Sequence, residues 1–245
     1  MNATHQVNHC LSFINCHLQS PRAHPAKHEA GLVKCITISR QSGCGAHVFS
    51  EELAAYLQAI RPAGAPPWTV FDRTLVEAVL QDQHLPASLA RFMPEDKVSW
   101  LNDIIEDLCS LHPPMETLVR RTSETILRLA ALGGIIVVGR GANVITAKLP
   151  GALHVRLIGS LEMRTAQIEH YDGLSRKDAL QRVKQEDAGR RRYLKRYFGK
   201  DIDDPLLYNI VINTDSVAPR EAARMVGSLA LIHAPEEGWN MPKAA

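Results

Sequence analysis

Four consecutive apolar residues, Ile135-Ile-Val-Val138, stand between Gly133-Gly134 and Gly139-Arg140-Gly141. A strand with no polar alternation is buried on both faces, as in a parallel sheet covered by helices on each side. The flanking chain fits such a sheet. Cys35 to Ser39 is a β-branched run that leads through Gly43-Cys44-Gly45 into Val48, Leu53, Ala54 and Leu57 at helical spacing. Trp68 to Phe71 reads as a second strand, followed by Asp72-Arg73 and an amphipathic helix through Leu80. Residues 81–114 mix a helix at about Glu95 to Leu108 with prolines at 86, 94, 113 and 114, an insertion that caps something or a surface excursion. Glu116 to Leu132 reads as a helix, Leu153 to Ile158 as a strand and Leu161 to Tyr171 as a helix. Ser175 to Phe198 is one long basic helical stretch, Asn209 to Asn213 a last strand, and Pro219 to Ile232 a last helix with proline in its first turn. Strands alternating with helices predict an α/β fold with a mostly parallel sheet of about five strands.

The 245 residues, 45% of them hydrophobic, suffice for one large domain with a buried core and are too apolar for disorder throughout. The domain is expected over residues 34–233, between a disordered tail at 1–33 and a polar tail at 234–245. No apolar run approaches the roughly 18 residues of a membrane span, so no membrane partner is expected. The five cysteines show neither CxxC nor Cys/His ligand spacing, so neither a disulfide framework nor a zinc site is suggested, and their usage points to the cytoplasm. Residues 1–32 lack a basic segment followed by an unbroken apolar one and make a poor secretory signal. Five of the eleven histidines fall there without regular spacing.

Ligands of open parallel sheets bind beyond the carboxyl ends of the strands. Three strands here end in Ser39-Arg40 with its glycine turn, in Asp72-Arg73 and in Arg140. Singly, each arginine caps a strand or pairs with a carboxylate; jointly, on one edge, they suit an anion with several phosphates. A P-loop reads GxxxxGK[ST]. Laying its second glycine on Gly45 puts Arg40 at the first glycine, Ala46 at the lysine and His47 at the Ser/Thr. A Gly-x-Gly between a strand and a helix N-terminus still forms an anion nest from backbone N–H groups. Ser42, Gly43, Cys44, Gly45, Ala46 and His47 are therefore the candidate phosphate-binding residues, with Arg40, His47 or a distant arginine supplying the charge. A tight strand-to-helix connection is the equal alternative.

Gly173 to Lys200 carries ten Lys/Arg against three acids, a charge of +7 in a chain whose total is +2. The plain reading is a solvated basic helix, with Glu186 and Arg190 as an ordinary surface pair. Tyr193, Tyr197 and Phe198 interleave with the arginines as stacking platforms for nucleic acid would. A phosphate-clamping lid at about 173–205 explains the adjoining Gly199 and Asp203-Asp204-Pro205 better, because a lid needs hinges.

Ile36-Thr-Ile-Ser-Arg-Gln-Ser-Gly-Cys-Gly45, Phe71-Asp-Arg73, Val138-Gly-Arg-Gly-Ala-Asn143 and the run from Asp187 through Arg191 and Asp204-Pro205 to Ile212-Asn-Thr214 together resemble the cytidylate kinase-like family. That family is an offshoot of the P-loop nucleoside monophosphate kinases, and the resemblance runs from about Cys35 to His233. It implies a three-layer α/β/α P-loop kinase-like domain with a mobile basic lid. Val138-Gly-Arg140-Gly141 resembles the Gly-Arg-Asp element that holds the acceptor nucleotide, with Gly141 in place of the aspartate. Asp187 and Arg191 resemble the lid Asp and Arg that serve acceptor and phosphates. Members generally lack the P-loop lysine, and Ala46-His47 departs even from their loop.

The function expected is transfer of the γ-phosphoryl of ATP, with Mg²⁺, to a nucleoside monophosphate such as CMP or dCMP. Arg40, Arg190, Arg191 and Arg196 would spread the developing charge, while Asp72, Arg73, Arg140 and Asp187 serve the acceptor. Asp72 would hold Mg²⁺ through water or the acceptor's sugar or base, or simply cap the next helix; Asn143 is equally a helix cap. The competing class is a nucleotide-sensing pseudokinase in which Ala46-His47 has removed catalysis. A nucleic-acid-binding protein using the basic helix ranks third, disfavoured because the body outside that helix sums to −5.

Overall fold

The computed structural model describes residues 33–61, 67–72, 101, 103–106, 108 and 117–232. Val33, expected in the tail at 1–33, is instead buried in the core. The rest of that tail, the tail at 234–245, Arg73 with its following helix, and most of the 81–114 insertion lie outside the described residues.

Five strands form one parallel sheet: β1 (Cys35–Arg40), β2 (Thr69–Phe71), β3 (Ile135–Val138), β4 (Ala152–Ile158) and β5 (Ile210–Asn213). They lie in the order β2-β3-β1-β4-β5, every pair parallel. Among the described residues these α-helices accompany them: α1 (Ala46–Ile60), α2 (Thr117–Leu132), the short α3 (Ala142–Ile145), α4 (Leu161–Asp172), α5 (Arg176–Phe198) and α6 (Pro219–Ile232). A 3₁₀ turn at Pro205–Leu207 precedes β5. Apart from α1, which extends past its expected apolar positions at both ends, and α3, which periodicity did not announce, these bounds sit within about one residue of those expected.

The unbroken apolar run of β3 has the predicted consequence. Ile135 and Val137 face one core, shared with Cys35, Phe71, α2, α3 and the end of α5. Ile136 and Val138 face the other, shared with Ile36, Ile38, Leu153, Val155, Leu157, α1 and α6. Side chains alternate across a strand, so a sheet buried on both sides must be apolar at every position. Leu101, Ile104, Ile105 and Leu108 have helical backbone and spacing and are buried in the first core, so this part of the insertion is core wall and no surface excursion.

Glycine and serine punctuate the helices. Ser160 caps α4 by accepting from the Met163 N–H, and Gly173 ends that helix at φ 64°. Ser175 caps α5 in the same way and Gly199 ends it at φ 64°. Among the described residues no helix is long and apolar enough to cross a membrane.

The connection leaving β1 runs toward β2, and that leaving β4 runs toward β5. The crevice of such a sheet opens between these two strands at their carboxyl ends. Helix α5 lies across that opening.

Candidate functional site

Two adjoining cavities occupy the carboxyl edge of the sheet. The smaller, about 200 Å³, lies between β1, β4 and α5, and six cations, Arg40, Arg156, Arg164, Lys184, Arg190 and Arg191, face Asp187 and Asp203 in its wall. The larger, about 450 Å³, opens toward β3 and is lined by Ser39, Val138, Gly139, Arg140, Gly141, Asn143, Tyr193 and Leu194 among others. Arg40 and Arg190 line both.

Among the residues lining the cavities, Arg40 is strongly altered by its surroundings. Burial and the neighbouring Arg190 pull its guanidinium down to about 10, with Arg140 adding to the effect and Glu186 and Asp72 opposing it. The group stays charged at neutral pH, in a place where an incoming anion is welcome. Its Nη1 packs against Gly139, where any β-carbon would collide with it.

The glycine turn passes through two left-handed residues, Gly43 and Gly45, at φ 82° and 65°. Carboxylates from α5 already hold it. The Ser42 N–H donates to Asp187 Oδ1 at 2.7 Å, and Ser42 Oγ donates to Glu186 Oε2 at 2.8 Å. Arg164 Nη1 donates to the Ser42 carbonyl at 3.0 Å and to Asp187 Oδ2 at 2.6 Å. Arg190 completes the cluster, reaching Asp187 Oδ1 at 3.1 Å and Glu186 Oε2 at 2.7 Å. Burial alone would raise the Glu186 carboxyl, but hydrogen bonds from Ser42 and Arg182 and the charge of Arg190 hold it below its ordinary range. Glu186–Arg190 is thus one strand of a network that ties α5 to the turn, not an ordinary surface pair.

Neither cavity is lined by Ser42, Gly43, Cys44, Gly45, Ala46 or His47. Gly43 is pressed against the backbone of Arg164, Cys44 is buried, and a β-carbon on Gly45 would lie 3.1 Å from Pro219. His47 points outward and pairs with Glu51 at 3.3 Å. Asp187 faces the smaller cavity and the turn, whereas Arg140 lines the larger one. Arg191 binds Asp203 Oδ2 at 2.7 Å. Arg196 lines neither cavity and lies over the Tyr197 ring, 5.4 Å from its centroid.

Arg156 and Arg164 were not singled out from the sequence. Arg156 sits mid-strand in β4, 3% exposed, and donates to Ser39 Oγ at 2.8 Å and Asp203 Oδ1 at 2.9 Å. A lone arginine inside an apolar strand was the available signal, since a buried charge requires a partner. Asp203 therefore fastens the segment after α5 to the sheet, where the sequence had suggested a hinge. Burial would raise its carboxyl, but Arg191 and Arg156 outweigh that and lower it.

Gly139-Arg140-Gly141 runs through three successive left-handed residues at φ 84°, 56° and 70°. A β-carbon on Gly141 would come within 2.6 Å of the fully buried Phe198 ring, which explains why no larger residue stands there. Gly141 also caps α3 through its backbone, so Asn143 lies inside that helix and is not its cap. Phe198 and the half-buried Tyr193 and Tyr197 pack on the core under α5, with ring centroids 5.1 Å apart for Tyr193–Tyr197 and 6.0 Å for Tyr193–Phe198. Tyr193 also lines the larger cavity.

A parallel sheet in this order, with a glycine turn after β1 and cationic cavities beneath a basic helix, defines a P-loop kinase-like α/β domain. The chain belongs to the cytidylate kinase-like family, whose model matches residues 35–216. It is 38% identical over 72 residues to a cytidylate kinase of Pyrobaculum aerophilum, a stretch covering 29% of this chain and 39% of that relative. The chain thus spans about two fifths of the curated relative it matches. An uncharacterized protein from Eubacterium ventriosum shares the fold at a TM-score of 0.59 and 20% identity, over 81% of this chain and 98% of that one. A gluconokinase from Sinorhizobium meliloti aligns more loosely, at a TM-score of 0.39 and 16% identity over 81% and 97% of the two chains.

Proposed function

We propose that this domain binds ATP and transfers its γ-phosphoryl group to a nucleoside monophosphate, with CMP and dCMP the first acceptors to test. The observation that carries the reading is that half-buried Arg40, together with Arg190, lines both cavities at once. A group passing between two anions needs cations at the shared wall, where charge develops in flight. On this reading the smaller cavity takes the donor's phosphates on Arg156, Arg164, Lys184 and Arg191, and the larger takes the acceptor beside Arg140.

The chain's own contribution is positioning and charge. Arg40 and Arg190 hold the transferring group between donor and acceptor, and α5 excludes water by lying over the strand ends. Among the described residues no cluster of three or more His, Cys, Asp or Glu side chains could hold a metal unaided. Mg²⁺ would arrive with the triphosphate, whose oxygens would be its main ligands. The metal would neutralise charge on the bridging phosphates.

One observation favours a second reading, a nucleotide sensor without turnover. Glu186 and Asp187 occupy the Ser42 donors that a phosphate would use, and Ala46-His47 brings no P-loop lysine or hydroxyl. ADP formation from ATP with a panel of nucleoside monophosphates separates the two. Acceptor-dependent ADP supports the kinase, and tight nucleotide binding without ADP supports the sensor.

A further inference from the structure

We propose that Asn143 reads the base of the acceptor, donating its Nδ2–H to a carbonyl oxygen or unprotonated nitrogen on the edge of a pyrimidine ring. The inference rests on the acceptor reading of the larger cavity given above. Asn143 lines that cavity and is only 6% exposed, yet its Nδ2 is buried with no hydrogen-bond partner. Buried amide nitrogens in folded proteins almost always find an acceptor, because an unmade bond leaves the desolvation cost unrecovered.

Nothing local explains the amide. The helix it belongs to is capped by the Gly141 backbone, with no side-chain cap. Its neighbours Ala142 and Ile145 are buried in the sheet-side core, where an apolar residue of the same size would fill position 143 at no polar cost. A donor kept there, enclosed on a residue that lines the cavity, is explained by an acceptor atom that arrives with a ligand and draws the amide toward it.

The other walls describe that ligand. Tyr193 and Leu194 offer aromatic and apolar faces suited to a flat ring. Arg40 and Arg190, at the boundary with the smaller cavity, suit the phosphate of the same molecule. At about 450 Å³ the space is of the size that takes a nucleotide.

The test compares wild type with Asn143→Ala and Asn143→Leu in calorimetric binding of CMP, of ribose 5-phosphate, which lacks the base, and of ATP. Both variants are expected to lose about ten-fold or more in CMP affinity while ribose 5-phosphate and ATP change by less than about two-fold. Asn143→Leu should also raise the unfolding midpoint of the ligand-free protein by about 2 °C or more, since it removes an unpaired donor while keeping volume. Equal losses for CMP and ribose 5-phosphate, or a fall in the midpoint of Asn143→Leu, would show a merely structural amide and overturn the assignment alone. A wild-type protein that binds ATP but no nucleoside monophosphate overturns the acceptor reading, and the assignment with it.

Discussion

Arg140 holds a left-handed backbone, φ 56°, between two glycines that adopt the same region freely. For a residue with a β-carbon this conformation costs about 1 kcal/mol, and strain of this kind gathers where a side chain must be aimed. Arg140→Gly should therefore leave the unfolding midpoint unchanged or raise it by a few degrees, while CMP affinity falls by far more than ATP affinity. A drop in both stability and ATP binding would show that Arg140 serves the fold and not the acceptor. The residue scale is also where the sequence was least readable. Arg40 and Arg140 announced themselves by standing at strand ends beside glycines. Arg156 and Arg164 did not, because each sits within a regular element and gains its meaning only from Asp203 and Asp187, which lie 47 and 23 residues away. Asn143 was read as a cap because short-range rules favour asparagine there, and the left-handed Gly141 took that place.

At the scale of elements, α5 is the piece on which function turns. Its inner face is held by Glu186 on Ser42, Asp187 on Ser42 and Arg164, and Arg191 on Asp203. Removing one carboxylate's charge should ease exchange of these groups for phosphate. Glu186→Gln is expected to bind inorganic pyrophosphate and ATP several-fold more tightly in titration calorimetry; weaker binding would mean that Glu186 assists the anion instead of competing with it. The same network predicts an acid response. Glu186 and Asp203 have folded-state pKa values below their ordinary 4.5 and 3.8, so they bind protons more readily when unfolded. The stability they contribute is complete above those ordinary values and is lost as pH falls through the lowered ones. Hydrogen exchange should accordingly show the Ser42 amide and the middle of α5 losing protection below about pH 4 before the central strands do. Simultaneous loss across the sheet would place the acid-sensitive groups elsewhere. Local pattern made α5 legible as a basic helix from Ser175 to Phe198, broken at Gly199, and the structure shows Ser175 to be its cap. What pattern could not convey was its inner face, since the partners of Glu186 and Asp187 are 144 and 145 residues distant.

For the molecule as a whole, the charge of +2 is a balance between α5 with its flanks and a mildly acidic body, and the structure shows how locally that balance is struck. Arg176 pairs with Glu169, Arg182 with Asp172 and Glu186, Arg190 with Glu186 and Asp187, and Arg191 with Asp203. Much of the outward charge is thus answered within the fold, while the charge that remains concentrated faces the smaller cavity. The parallel sheet, its two cores and the cleft between β1 and β4 place that concentration where an α/β fold receives a ligand. The central claim is that Arg40 and Arg190 carry a phosphoryl group across the wall between the cavities. Transfer of label from γ-labelled ATP to CMP in the presence of Mg²⁺, followed for wild type and Arg40→Met, tests it most directly. The account predicts labelled CDP from the wild type and a loss of about a hundred-fold or more in kcat/KM for Arg40→Met. Tight binding of both nucleotides with no labelled product, or equal rates for the two proteins, would contradict it.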